Sequence, residues 1–197
     1  MSPKMHRMSL EEGQRIGEEI LETIRELCIR VEVAGSVRRR RPYVHDLDIV
    51  LIPQLFAYPD RIIMKLRERW PDLEVLRKGQ KIVSLTLREG VHVDLYASET
   101  RYFGTHLLRW TGSTEHNIKL CSRARALGLK LAVSRGVLEM REKEGVWKEG
   151  KLIASRTEED IFEALKMDYV PPEEREDDTR KRAREKFVKE LEKERET

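Results

Sequence analysis

The chain has 197 residues, of which 39% are hydrophobic and 38% charged, and a formal net charge of +3. This is enough for one ordinary domain or two small lobes with a real core, while the absence of any apolar run near 18 residues excludes a membrane-spanning helix, and no secretory signal is visible. So small a net charge gives no bulk sign of a nucleic-acid binder. Cys28 and Cys121 lack metal-ligand spacing, which fits a reducing, cytoplasmic setting.

Ser9 is placed as a helix N-cap with Glu12 at the capping-box position, and Ile16, Ile20, Ile24 and Leu27 give the apolar spacing of a helix. A strand is expected at 30–34, then a Gly35-Ser36 turn, the basic run Arg38-Arg39-Arg40-Arg41, and a strand carrying Asp46-Leu47-Asp48-Ile49-Val50. Strand alternation points Asp46 and Asp48 the same way, about 7 Å apart. Two carboxylates so placed repel each other unless a cation lies between them, and hard oxygen ligands of this kind suit Mg²⁺. Gly35 and Ser36 can bring backbone N–H groups and a hydroxyl to a phosphate, whose charge Arg39 can neutralise in bidentate fashion.

Residues 59–69 read as a helix. The runs 81–87 and 91–96 alternate as strands joined by a hairpin-like Arg88-Glu89-Gly90, with His92, Asp94 and Tyr96 on one face of the second. If these strands lie beside the Asp46 strand, Asp94 becomes the third carboxylate of a two-metal arrangement.

A second lobe begins near Arg101, and Gly112-Ser113 leads into a helix at 114–127 ended by Gly128. Short strands are expected at 130–133, 137–141 and 151–153, followed by a helix opened by Thr157-Glu158-Glu159-Asp160 and ending before Pro171-Pro172. Lys119, Arg123, Arg125 and Lys130 form a second basic cluster. From Glu173 onward the chain is nearly all charge, and Ala183, Phe187 and Leu191 predict a solvated helix with one thin apolar stripe.

Four elements together resemble the family X DNA polymerases, and their bacterial and archaeal branch above all: Gly35-Ser36-x-Arg38-Arg39, Asp46-x-Asp48, Val93-Asp94-Leu95, and Trp110-Thr111-Gly112-Ser113-Thr114-Glu115-His116-Asn117. The match runs from about Arg7 to Glu176. Gly-Ser followed by Asp-x-Asp occurs across nucleotidyltransferases; the Thr-Gly-Ser segment narrows the choice to family X. The resemblance implies an α+β fold. Its nucleotidyltransferase palm, a small mixed sheet with helices, occupies residues 1–100 and its small α/β thumb 101–176, followed by a charged helix or tail at 177–197.

It also implies DNA-directed addition of dNMP to a 3′-hydroxyl, with short-gap filling in repair as the setting. Asp46, Asp48 and Asp94 would bind two Mg²⁺ ions, with Mn²⁺ as an alternative. Gly35, Ser36, Arg39, Arg7 and the backbone around His45 would hold the triphosphate, and Arg109, Trp110, Gly112 and Asn117 the sugar and base. Lys78, Lys81, Lys119, Arg123 and Lys130 would contact DNA, gapped or nicked, through its backbone. A monomer is expected.

The departures matter as well. His45 replaces a glycine and Arg109 a tyrosine of the sugar gate. Cys121 stands where many members hold the template with arginine. Tyr96 stands where DNA polymerase beta has an arginine that changes partners between open and closed forms, and Val133 and Ser134 occupy the receiving positions. These changes imply weaker checking of the base pair and of the sugar. The amino-terminal lyase lobe, the helix-hairpin-helix fingers and the carboxy-terminal phosphoesterase of larger relatives are not found, so a minimal core or a piece of a longer chain is expected. Template-independent terminal addition, nucleotidyl transfer to RNA, a protein or a drug, and a catalytically dead DNA-end binder are the competing functions.

Overall fold

A computed structural model describes residues 7–55, 57–87, 90–143 and 146–176, the side chains of 142, 143 and 146–148 excepted. Ser9 does cap the first helix, its Oγ accepting from Glu12 N at 3.2 Å. That helix, α1 (Leu10–Ile24), buries Ile16, Ile20 and Ile24, but Leu27 falls in a separate 3₁₀ turn at Arg25–Leu27. Before it, the two-residue β1 (Met8–Ser9) pairs antiparallel with β3 (Tyr43–Val44), a ribbon too short to be read from periodicity.

The main sheet has five strands: β2 (Cys28–Val33), β4 (Asp46–Pro53), β5 (Glu74–Lys78), β6 (Ile82–Thr86) and β7 (His92–Ala97), in the order β2-β4-β7-β6-β5. Only β4 and β7 run parallel; the remaining pairs are antiparallel. One face, with Leu47, Ile49, Leu51, Val83, Leu85, Val93 and Leu95, closes the larger core with α1 and α3 (Asp60–Arg69). On the other face Val50, Ile52 and Tyr96 pack with Ala34, Phe103 and Leu107. β5 is not announced by the sequence pattern. It is an edge strand of mainly exposed, charged residues, a composition that blunts edge-to-edge pairing.

Phe103 and Leu107 belong to α4 (Phe103–Thr111), a second unexpected element, which bridges the two sheets. Beyond it lie α5 (Thr114–Ala126), β8 (Leu129–Ala132), β9 (Gly136–Lys143), β10 (Val146–Ala154) and α6 (Glu158–Ala164). β9 and β10 are longer than expected, while α6 ends well short of Pro171. The antiparallel sheet β10-β9-β8 and helices α5 and α6 enclose a smaller core of Leu120, Ala124, Val137, Ile161, Phe162 and Leu165, joined by Leu108 of α4. The helix expected around Ala183, Phe187 and Leu191 lies outside the described residues. The arrangement is the expected α+β one of two sheets with helices. Among the described residues no helix is long and apolar enough to cross a membrane.

Candidate active site

β4 divides its labour by face. Leu47, Ile49 and Leu51 are fully buried in the larger core, so Asp46 and Asp48 must point to the opposite side. The parallel register sets Asp48 against Asp94 and Asp46 against His92, so the three aspartates share one sheet face. The expected neighbourhood of Asp94 and the Asp46 strand is therefore present.

Asp48 is crowded. Burial, followed by the Asp46 charge and with Asp94 adding, pushes its carboxyl up to about 7, against the pull of the Tyr96 hydroxyl and Arg39. That hydroxyl donates to Asp48 Oδ1 at 3.0 Å and to Asp94 Oδ2 at 3.3 Å. Burial, then the two carboxylates, raises the phenol far above its ordinary value, so it stays a donor. Among the described residues no three His, Cys, Asp or Glu side chains already stand in a metal-holding arrangement. Asp48 and Asp94 are bonded to the phenol instead.

Gly35 opens α2 (Gly35–Arg38) with φ +59°, and a Cβ there would lie 2.0 Å from Asp48 Oδ2. Only glycine fits both the backbone conformation and the carboxylate. One residue on, Ser36 Oγ is buried with no hydrogen-bond partner, a donor without a role inside the protein. Arg39 Nη1 donates to the Thr111 carbonyl and Nε to Glu176 Oε1 at 3.1 Å. Gly112, at φ +70°, leaves room for this arginine, whose Nη1 would be 3.2 Å from a Cβ.

Trp110 stacks on Tyr96, with ring centroids 3.6 Å apart and planes 11° from parallel, and the Arg109 guanidinium lies 4.5 Å from its centroid. Asn117 Nδ2 donates to the Arg109 carbonyl at 2.9 Å. A cavity of about 890 Å³ is lined by Arg39, Asp48, Trp110, Gly112, Asn117 and Cys121, among others. The ribbon of β1 and β3 accounts for two further residues. Continuing its register by one position sets Arg7 opposite His45, just before Asp46, and the Arg7 guanidinium covers the Tyr43 ring at 3.8 Å.

The five cations expected at DNA are dispersed. Lys81 borders a second cavity of about 670 Å³, between the two sheets, together with Arg101, His106 and Arg135. Lys78 and Lys130 form exposed ion pairs with Asp60 and Glu149. Lys119 is exposed on α5. Arg123 is engaged differently: it donates to the carbonyls of Leu165 and Lys166, satisfying groups left over at the end of α6.

Sequence reasoning missed one cluster entirely. Arg38 forms a two-bonded pair with Glu158, at 2.8 and 2.9 Å, and Arg175 grips the same carboxylate at 2.6 and 3.2 Å. The side chains of Glu158 and Arg175 are 3% and 0% exposed. Burial alone would raise the Glu158 carboxyl, but its hydrogen bonds and charge pairing with the two arginines hold it below the ordinary value. The signals were an unbroken arginine run and a first-turn glutamate, both of which more often face solvent.

The chain is similar to known proteins in sequence and in fold. A model of the DNA polymerase beta thumb matches residues 106–176. The DNA polymerase/3'-5' exonuclease PolX of Bacillus subtilis is 28% identical over 166 residues, which cover 82% of this chain and 27% of that protein. Both matches support the resemblance to the family X DNA polymerases. It spans about a quarter of the PolX length. Leishmania infantum polymerase beta shares the fold. Its ternary P/T complex superimposes with a TM-score of 0.70 at 23% identity, covering 87% of this chain and 77% of that one. Its ternary gap complex gives 0.71 at 22% identity, covering 87% and 71%. Tyr96, which the resemblance sets at an arginine position of DNA polymerase beta, is here the ring stacked on Trp110.

Proposed function

We propose that the chain is a nucleotidyltransferase that adds dNMP from dNTP to a DNA 3′-hydroxyl, filling short gaps under the direction of a template. The observation that carries this is the convergence of Asp46, Asp48 and Asp94 on one sheet face, beside an orphaned Ser36 hydroxyl and the Arg39 guanidinium. The names of the relatives, a PolX and polymerase beta complexes with primer–template and gapped DNA, support the substrate class.

The donor set fits divalent ions. Three hard carboxylates share one sheet face, and burial, followed by the Asp46 charge, pushes the Asp48 carboxyl up to about 7, a cost that a cation would relieve. Asp46 and Asp48 would hold two Mg²⁺ ions, or Mn²⁺, with Asp94 on the first. The ions, when bound, supply charge to activate the attacking hydroxyl and offset the triphosphate. Asp94 would accept the proton of the 3′-hydroxyl. Ser36 and Arg39 bind the triphosphate, Arg7 and the His45 backbone add to its far end, and Gly112 lets the sugar approach beside Trp110. DNA would lie along the second cavity with Lys81 on its backbone. We take the active chain as a cytoplasmic monomer, with residues 1–100 as palm and 101–176 as thumb.

A second reading, template-independent addition, draws on Cys121, which lines the nucleotide cavity where an arginine would grip a template. Primer extension on single-stranded, recessed and one-nucleotide-gapped DNA, with dNTPs and with rNTPs, separates the two. Extension of gapped DNA with the complementary dNTP is expected. Asp46→Asn, Asp48→Asn and Asp94→Asn should each remove nearly all of it while DNA binding persists. Wild-type extension by any of the three would overturn the site, and equal extension without a template would favour terminal addition.

A further inference from the structure

Arg39, assigned to the triphosphate, already holds an anion, and Arg41 shares it. Glu176 Oε1 accepts from Arg39 Nε at 3.1 Å, and its other oxygen, Oε2, lies 2.9 Å from Arg41 Nη1. Both arginines and Glu176 border the same cavity as Asp48, Trp110 and Gly112. The Glu176 side chain is 22% exposed and Arg39 16%, so the pair lies within that cavity's wall and is partly shielded from water.

Glu176 is also held in place by its neighbour. The Arg175 side chain is fully buried on Glu158, its Nε donates to the Val170 carbonyl at 2.8 Å, and its own carbonyl accepts from Ser113 N at 3.3 Å. The next residue therefore leaves a fixed point, and its carboxylate is delivered to Arg39 and Arg41. A carboxylate presents two oxygens, and here each meets one arginine. Ser36 Oγ is still left without a partner. A phosphate group offers more oxygens and more charge than this carboxylate, so it can take over both arginines and also reach the orphaned hydroxyl.

We infer that Glu176 is an internal competitor of the incoming triphosphate: its carboxylate occupies Arg39 and Arg41 in the free chain and must leave before a polyphosphate can bind. This rests on the reading of Arg39 as a triphosphate ligand. The consequence is a tax on apparent affinity equal to the fraction of chains with the arginines vacant. The tax falls on every ligand that needs Arg39 and spares those that use only the sugar and base region.

Isothermal titration of the full chain with inorganic tripolyphosphate, dATP and deoxyadenosine tests this, comparing wild type with Glu176→Gln, Glu176→Ala and Arg39→Ala. Removing the carboxylate should tighten tripolyphosphate and dATP by a common factor, about 3- to 10-fold, and leave deoxyadenosine unchanged. A purely structural role for Glu176 cannot tighten anything. Equal binding by wild type and both Glu176 variants, with Arg39→Ala weaker, would overturn the inference and leave the triphosphate site standing. Tripolyphosphate binding that ignores Arg39→Ala, or is absent in every protein, would overturn the triphosphate assignment and the inference with it. Thermal unfolding of each variant shows that the comparison is between folded chains, and Glu176→Ala repeats the test if the glutamine retains the arginine hydrogen bonds.

Discussion

The phenol of Tyr96 is stacked 3.6 Å from the Trp110 indole while its hydroxyl bonds to Asp48 and Asp94. One side chain thus links the wall of the cavity beside Asp48 to two of the carboxylates. In the free chain the hydroxyl takes the lone pairs that a cation would need. Tyr96→Phe keeps the stack and frees the carboxylates, so the Mg²⁺ concentration that gives half-maximal extension should fall about 3- to 10-fold. That is less than the full 1.5–3 kcal/mol of a hydrogen bond to a charged group, because water replaces the phenol. A midpoint that stays put or rises would show that the hydroxyl does not compete with the ion.

Glu158 pairs with two arginines in a site that water barely reaches. Glu158→Gln keeps the shape and leaves Arg38 and Arg175 as uncompensated charges, a defect that costs about 3–5 kcal/mol in buried pairs. Urea unfolding should register a loss of that order. A loss under 1 kcal/mol would mean that solvent screens the cluster.

The cations expected at DNA should divide by what they touch. Charge-removing changes at Lys81 or Lys119 should lower the slope of log K against log[salt], by about one for each phosphate that goes unneutralised. Arg123→Ala should leave that slope unchanged and lower stability by about 1 kcal/mol, since it abandons two carbonyls at the end of α6. Filter binding over a salt series, beside thermal melting, distinguishes the two effects.

His116 is buried, its Nε2 has no hydrogen-bond partner, and burial, then the Arg175 and Lys119 charges, depresses it to about 4. The unfolded chain takes up this proton near the ordinary 6.5 and the folded chain resists until about 4. Stability from the neutral ring is therefore complete above pH 6.5 and is lost as the pH falls toward 4, by about 2–3 kcal/mol. His116→Gln should flatten that part of the profile. A parallel profile in the variant would assign the acid sensitivity to the carboxylates.

The three aspartates were legible because a period of two fixes faces without any knowledge of the partner strand. That Asp94 would lie level with Asp48 was not legible from spacing; the family resemblance suggested it. α4 escaped because Gly104 and Thr105 weaken its helical propensity, and its short apolar patch of Phe103, Leu107 and Leu108 makes sense only against the sheets it joins. Arg38 and Glu158 lie 120 residues apart in the chain, so nothing local records that they meet. Arg7 could be placed only loosely, since the ribbon that positions it is two residues long.

The apolar cluster on the carboxylate face of the main sheet draws Val50, Ile52 and Tyr96 from the sheet itself and Phe103 and Leu107 from α4. Together with the Arg38–Glu158–Arg175 cluster, it makes this seam a core shared by the chain on both sides of residue 100. Cutting the chain near residue 100 would strip one piece of the cover over its sheet and leave the other with a buried acid short of one of its two arginines. Denaturation should accordingly melt the described region in a single transition, and halves produced separately should regain order only when mixed.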